Sequence, residues 1–247
     1  MDGITIFNGV LSGGSSSPGE GGITTSKQCV MRLSENYSKC SVVFLMKQWL
    51  CILLIASSAA TVACAQETED SDWLIEVLEI DKGSVVAEIG AGDGSLTLAI
   101  AGHIGREGVM YSSELGADSV QYLRQVVASA PVSNVTVVEG HPERTNFPEG
   151  CCDALFMRRV YHHFKDPASM NNSIWEALKP GGRLAVIDFA PHGGESSAPT
   201  ERAAGGGHGV TSETVVKELS QAGFIRVNSD QRSGRDVYVV MKKPEDP

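Results

Sequence analysis

The stretch SVVAEIGAGDGSLTLAIA, residues 84–101, decides the fold. A run rich in β-branched residues comes first, then a turn with glycines at 90, 92 and 94, then a segment with helical spacing of apolar residues. Glycine lets the backbone approach a ligand closely. The stretch therefore predicts a strand, a ligand-binding loop and a helix in succession.

The same alternation of strand and helix continues from residue 72 to the end of the chain. It predicts an α/β fold whose mostly parallel, Rossmann-like sheet carries helices on both faces. The last two strand-like runs, 224–230 and 236–243, are separated only by QRSGR. That connection is too short for a crossover helix, so we expect an antiparallel hairpin at one edge of the sheet.

The glycine loop suits a cationic ligand better than a pyrophosphate. A dinucleotide fingerprint would need glycine at position 95, where the chain has Ser95. Glu88, two positions before the first glycine, adds negative charge that suits the ammonium and sulfonium of S-adenosylmethionine. The next predicted strand ends at Glu114, where an acid can hydrogen-bond ribose hydroxyls. A solvated carboxylate at a helix start is the simpler alternative for Glu114.

Four segments carry a resemblance to a known family. They are VVAEIGAGDGSLTLAIA (85–101), GVMYSSEL (108–115), CDALFMRRVYHHFKDP (152–167) and LKPGGRLAVIDF (178–189). They resemble successive motifs of the type 11 class I S-adenosylmethionine-dependent methyltransferases. The resemblance covers most of residues 72–247 and implies a seven-stranded sheet, S-adenosylmethionine as cofactor and methyl transfer as the reaction.

The resemblance also assigns residues to the cofactor. It places Glu114 at the ribose, and His141 where relatives often have an aspartate that faces the adenine amino group. The methionine end is assigned to the residues of the loop, which are Glu88, Gly90, Ala91, Gly92 and Gly94.

The segment after the fourth predicted strand holds the candidate catalytic residues, by the same resemblance. A histidine there can act as a general base because its ordinary pKa is close to neutral. Alternatively, one of the two histidines bonds backbone at a helix start. The candidates are Arg158, Tyr161, His162 and His163.

We expect no metal ion, because methyl transfer from a sulfonium chiefly needs alignment and desolvation. The spacing of five histidines matches no ligand motif; these are His141, His162, His163, His192 and His208. The adjacent cysteines 151 and 152 are expected to pack as small apolar residues, since a bridge between neighbours would be strained. A metal-binding thiol pair is the weaker alternative.

Composition and the loop after Asp188 bear on the acceptor. A net charge of −10 argues against a nucleic-acid partner, which would need clustered basic residues. This charge, together with the substrates usual in the family that the chain resembles, leads us to expect a small-molecule or lipid-like acceptor. The roughly twenty residues that follow Asp188 lack periodicity and are predicted to form a lid over it.

The N-terminal part of the chain is predicted to lie outside the α/β domain. Residues 1–45 look like a disordered leader or a misassigned start, and 46–65 resemble a signal peptide, with a membrane anchor as the alternative. The methyltransferase domain then spans 66–247. We expect an exported or membrane-anchored protein, periplasmic in a bacterium, or a cytoplasmic one if the leader is not functional. Since S-adenosylmethionine is made in the cytosol, an exported, non-catalytic protein that retains the fold is the alternative function.

Overall fold

The structure is a computed structural model that describes residues 69–194, 196, 198–203, 207–231 and 235–245. Its strands are β1 (Val85–Ile89), β2 (Val109–Glu114), β3 (Val135–Glu139), β4 (Cys152–Arg158), β5 (Leu178–Phe189), β6 (Ile225–Gln231) and β7 (Asp236–Lys242). Its helices are α1 (69–77), α2 (Ser95–Ile104), α3 (Ala117–Ser129), α4 (Pro167–Ala177) and α5 (Ser212–Gln221). Short 3-10 turns span Tyr161–His163 and Pro199–Glu201.

The strands form one seven-stranded sheet in the order β3-β2-β1-β4-β5-β7-β6. The neighbours from β3 to β5 pair in parallel, whereas β7 is antiparallel to both β5 and β6. This confirms the predicted fold and its antiparallel hairpin. The strand order reverses between β1 and β4, and a crevice at the carboxyl ends of the strands is the usual ligand site at such a reversal.

Two hydrophobic cores cover the two faces of the sheet. Side chains alternate along a strand, so Leu155 and Met157 of β4 join the core under α4 and α5. Ala154 and Phe156 point the other way, into the core under α1 and α2. Helices therefore pack on both faces, as the alternating sequence pattern predicts.

Proline and glycine in the segment Lys179–Gly182 are typical of a turn before a strand, but in the structure the segment lies within β5. Strand β5 already begins at Leu178, directly after α4. Its pairing with β4 skips from Cys152↔Leu178 to Ala154↔Arg183, so the four residues form an irregularity inside the strand. The ion pair between Lys179 Nζ and Asp153 Oδ1, 2.6 Å long, crosses this irregularity.

The two adjacent cysteines require a correction. Cys152 packs in the core as expected, but its sulfur is joined to that of Cys151 in a disulfide. Cys151 precedes β4, so the alternation of side chains within a strand does not separate the pair.

The predicted leader (1–45) and signal peptide or anchor (46–65) lie outside the described residues. Among the helices that the structure does describe, none combines the length and the apolar character needed to cross a bilayer.

Candidate functional site

A cavity of about 560 Å³ opens at the carboxyl ends of β1, β2 and β4. This volume is typical of small-molecule sites. Gly90 and Gly92 come from the loop after β1, Glu114 from the end of β2, and Arg158 from the end of β4. The cavity thus lies at the reversal of strand order, where the sequence places the ligand loop.

Gly90 and Gly92 shape the loop in different ways. Both adopt left-handed backbone conformations, with φ of 73° and 56°, which side chains disfavour. A Cβ atom on Gly90 would collide with the side chain of Val160, whereas one on Gly92 would meet no atom within 4 Å. Packing therefore requires glycine at 90, and the backbone at 92 is open to a ligand.

Glu114 fastens the loop to the end of β2. Its Oε1 accepts a hydrogen bond from the Gly92 amide at 2.6 Å, and its Oε2 accepts one from the Leu115 amide at 3.1 Å. An ionised carboxylate offers about four acceptor positions, so both oxygens retain capacity for further donors. Glu114 can hold the loop and bind the hydroxyls of a ligand at the same time.

Glu88 lies beneath the loop and is 2% exposed. Its carboxylate accepts hydrogen bonds from the hydroxyls of Thr97 and Ser112. Burial raises the pKa of Glu88 to about 7, and the charges of Glu114 and Asp93 act in the same direction. Glu88 also lines a smaller cavity of about 280 Å³ on the loop. The sequence suggests a fixed negative charge, but the side chain is only partly ionised at neutral pH.

We expect Glu88→Gln to raise the free energy of unfolding at pH 8 by up to about 3 kcal/mol. The folded protein binds this proton more tightly than the unfolded chain, because the pKa rises from 4.5 to about 7. The stabilisation that protonated Glu88 contributes is therefore fully present below pH 4.5 and is lost as the pH rises to about 7. Urea unfolding from pH 5 to 8 measures the change, with the exposed Glu107→Gln as control. Equal pH slopes for the wild type and Glu88→Gln would contradict the burial effect.

Arg158 and His163 are the two candidate catalytic residues that reach the larger cavity. Arg158 Nε donates a hydrogen bond to Asp70 Oδ2 at 2.6 Å, and its side chain also lines the smaller cavity. The pKa of His163 is lowered, chiefly by partial burial and then by neighbouring His162.

Tyr161 lines neither of these two cavities, and its predicted catalytic role stays a prediction. It is fully buried in the core, where its hydroxyl donates to Glu218 Oε2 at 3.0 Å and accepts from Asn171 Nδ2 at 2.9 Å. Burial raises its pKa well above the ordinary value. Tyr161 points into the core because the 3-10 turn Tyr161–His163 rotates successive side chains by about 120°.

His162, another candidate catalytic residue, is buried and does not line the larger cavity, and its catalytic role also stays a prediction. Its Nδ1 is 2.8 Å from Asp188 Oδ1. Its Nε2 is 3.1 Å from the Nε2 of His208, a residue of the segment that follows β5. Three of the five histidines that we expected not to form a site thus lie together.

The predicted cofactor residues divide between the two cavities. Gly90, Gly92, Glu114 and His141 line the larger one. Glu88, Ala91 and again Gly90 and Gly92 line the smaller one. Gly94 lines neither and directly precedes α2. His141 Nδ1 accepts a hydrogen bond from the Glu143 amide at 3.2 Å.

Three basic residues of the larger cavity were not among the predicted site residues, namely Arg144, Arg159 and Lys165. Arg159 has a φ of 58°, a rare conformation for arginine that is often found at functional sites. The adjacent arginines 158 and 159 at a predicted strand end were the available signal.

None of the described residues of the segment after β5 lines the larger cavity. Arg202 instead forms a two-point ion pair with Glu218, at 2.8 and 3.1 Å. The described residues give no support to the predicted lid.

Comparison with known proteins shows what part of the chain is similar to. Residues 87–186 match the family model described as a methyltransferase domain. The ubiquinone/menaquinone biosynthesis C-methyltransferase of Marinomonas sp. (strain MWYL1) is 28% identical over 109 residues, which are 44% of this chain and 43% of that protein. The chain spans less than half the length of the curated relatives it matches.

Solved structures agree in fold. An S-adenosylmethionine-dependent methyltransferase from Aquifex aeolicus has a TM-score of 0.60 at 20% identity, over 70% of this chain and 89% of that one. The phosphoethanolamine N-methyltransferase 2 of Haemonchus contortus, solved with S-adenosyl-L-methionine, has a TM-score of 0.59 at 15% identity. The match covers 72% of this chain and 53% of that one.

Residues 87–186 therefore match a methyltransferase domain, and the surrounding fold is shared with solved S-adenosylmethionine-dependent methyltransferases, which supports a class I, type 11-like domain. This confirms the family predicted from the four sequence motifs. The cofactor of that family, S-adenosylmethionine, is also the one predicted from the glycine loop and its acidic residues.

Proposed function

We propose that this chain transfers a methyl group from S-adenosylmethionine to a small, negatively charged acceptor. The observation that carries the proposal is the composition of the larger cavity. Its lining residues include Gly92, whose backbone is open to a ligand, the acidic Glu114 and four basic residues. Both reactants would share this cavity.

The residues of the loop fit the cofactor. The empty space beside Gly92 accepts a ligand against the backbone, and Glu114 has acceptor capacity for ribose hydroxyls. Glu88 borders the smaller cavity on the same loop, and an ammonium placed there would favour its ionised form. His141 would lie at the adenine end of the cofactor. When bound, S-adenosylmethionine supplies a methyl group on a positively charged sulfur that is already a good leaving group.

The basic residues of the cavity indicate an anionic acceptor. The chain has a net charge of −10, yet this cavity contains Arg144, Arg158, Arg159 and Lys165 against the single carboxylate of Glu114. Arg158 is neutralised by Asp70. Neither Arg159 nor Lys165 has an ion-pair partner within the described part of the chain. These two cations are available to an acceptor.

The chain would promote the reaction by holding the acceptor in a defined orientation. Arg159 and Lys165 would bind the anionic group, and so orient the methyl-accepting atom toward the cofactor end of the cavity. Their charges also favour the ionised form of an acidic hydroxyl or carboxyl, which is the better nucleophile. Alignment of this kind can lower a barrier by about 7–11 kcal/mol.

The printed name of the Marinomonas relative describes C-methylation in quinone biosynthesis. A ring that carries an ionised hydroxyl is one acceptor that would suit the basic residues here. The match covers less than half of that protein, so the acceptor class rests on the cavity rather than on the relative.

No observation on the described residues favours the exported, non-catalytic alternative. That alternative and the predicted localisation both depend on residues 46–65, which lie outside the described part of the chain.

The proposal can be tested with the full chain and methyl-labelled S-adenosylmethionine. A small-molecule cell extract is separated by ion exchange before the reaction, and each fraction is offered as acceptor. We expect label to be transferred to the fraction that binds an anion exchanger. Transfer only to neutral or cationic fractions would contradict an anionic acceptor, and no transfer to any fraction would contradict methyl transfer.

With an acceptor in hand, we expect the double variant Arg159→Asn, Lys165→Gln to raise the KM for that acceptor by about 10–100-fold, as expected for the loss of charged hydrogen bonds. Asparagine tolerates the left-handed backbone at 159, so folding should be preserved. The Kd for S-adenosylmethionine should change by less than about 2-fold, since the loop is untouched. Arg124→Gln on the exposed face of α3 is the control. An unchanged KM would remove these residues from the acceptor site.

A further inference from the structure

We propose that His162, His163 and His208 bind a divalent transition-metal ion at the edge of the larger cavity. One ring nitrogen from each residue lies within 4.8 Å of the others. Neutral imidazole is the commonest metal ligand in proteins, and three imidazoles suit zinc, copper, nickel or iron.

The spacing of the best-defined pair fits coordination. The Nε2 atoms of His162 and His208 are 3.1 Å apart. Two nitrogens bound tetrahedrally to zinc at about 2.0–2.1 Å would be about 3.3–3.4 Å apart. The ring centroids of His162 and His163 are 4.0 Å apart, so the third imidazole is adjacent to this pair. Small rotations of the rings would complete a three-histidine site.

Asp188 orients the most buried ligand. One oxygen accepts from His162 Nδ1 at 2.8 Å and from the Phe189 amide at 2.9 Å, and the other accepts from the His162 amide at 3.2 Å. These bonds fix the carboxylate and keep the proton of His162 on Nδ1. The lone pair on Nε2 then points toward His208. A carboxylate behind a histidine ligand is the usual outer arrangement of metal sites.

The same tautomer would also allow a simple hydrogen bond, with His208 Nε2–H donating to His162 Nε2. In that case the three rings would form a hydrogen-bonded cluster without affinity for metal. The two possibilities differ in whether the protein binds an ion stoichiometrically, which can be measured directly.

The position of the cluster suggests what the ion would do. Three protein ligands leave at least one coordination position open, as in catalytic zinc sites. His163 lines the larger cavity together with Arg159 and Lys165, so the open position would lie at its acceptor end. An anionic oxygen of the acceptor could bind there; this part of the inference rests on the proposed function. His163 would then serve as a ligand and not as a general base.

Metal binding can be tested on the full chain without cofactor. The chain is stripped with a chelator and titrated with Zn²⁺ by calorimetry and with Co²⁺ by visible absorption. We expect one ion per chain and a Co²⁺ spectrum without the charge-transfer bands of thiolate ligands. His208→Ala and His163→Ala should weaken binding by at least about 100-fold, and Asp188→Asn by about 10–100-fold.

Controls separate this site from adventitious binding. His192→Ala, in the same segment as His208, and His103→Ala, which contacts the Ile80 carbonyl, should bind as the wild type does. His208→Gln gives a second variant if alanine disturbs folding. No ion bound by the wild type, or equal affinity in His208→Gln, would overturn the site. Binding of S-adenosylmethionine by the same preparation tests the proposed function separately.

Discussion

Gly92→Leu is expected to weaken binding of S-adenosylmethionine by more than about 100-fold while the domain remains folded. A side chain at 92 would occupy the space beside the loop, where no protein atom lies within 4 Å of a Cβ position. Loss of even a few close contacts and hydrogen bonds exceeds about 2.7 kcal/mol, which corresponds to this factor. Calorimetry with S-adenosylmethionine measures the effect, and thermal unfolding checks the fold.

Gly83→Leu is the matched control for this variant. Gly83 also has a left-handed φ, of 84°, and open space around its Cβ position, but it lies outside both cavities. Each substitution should cost about 1–2 kcal/mol of stability from the backbone alone. Equal binding by Gly92→Leu and Gly83→Leu would show that the cofactor does not contact the loop at 92.

Glu114→Gln is expected to raise the Kd for S-adenosylmethionine by about 10–100-fold. Hydrogen bonds to a charged group contribute about 1.5–3 kcal/mol, and ribose hydroxyls would lose the charged acceptor. Glutamine keeps an oxygen that can accept from the Gly92 amide, so the loop should retain its position. The variant therefore separates ligand binding from the support of the loop.

Glu139→Gln is the control for the charge at 114. Glu139 pairs with Glu114 in the register of β2 and β3 and ends the next strand, yet it lines neither cavity. If the two variants weaken binding equally, the effect comes from general electrostatics and not from a ribose contact. An unchanged Kd in Glu114→Gln would remove Glu114 from the site.

Local sequence patterns were sufficient to predict the fold and the position of the glycine loop that lines the larger cavity. The loop between β1 and α2 is encoded within eighteen adjacent residues, 84–101. The position of Glu114 beside this loop could be predicted because it ends the next strand, and parallel strands bring their carboxyl ends to one edge of the sheet. The antiparallel hairpin follows from the five residues between the last two strand-like runs.

The sequence could not predict contacts that depend on side-chain direction or on distant segments. Tyr161 and His163 are two positions apart, yet the 3-10 turn sends one to the core and the other to the cavity. His208 contacts His162 although the two residues are 46 positions apart in sequence, and His208 lies in a segment without periodicity. The raised pKa of Glu88 depends on burial beneath the loop, which the motif does not encode.

The first residue of β5 could not be predicted from the local sequence either. Proline and glycine at 180–182 are typical of a turn. The strand nevertheless begins before them, because Leu178 pairs with Cys152 of β4. Tertiary pairing here overrides local propensity.

A crystal structure of the full chain with S-adenosylhomocysteine tests the central claim most directly. We expect both ribose hydroxyls within hydrogen-bond distance of the Glu114 carboxylate, and the ligand packed against the backbone of Gly92 in the larger cavity. A ligand bound away from Gly92 and Glu114 would contradict the site described for this methyltransferase domain.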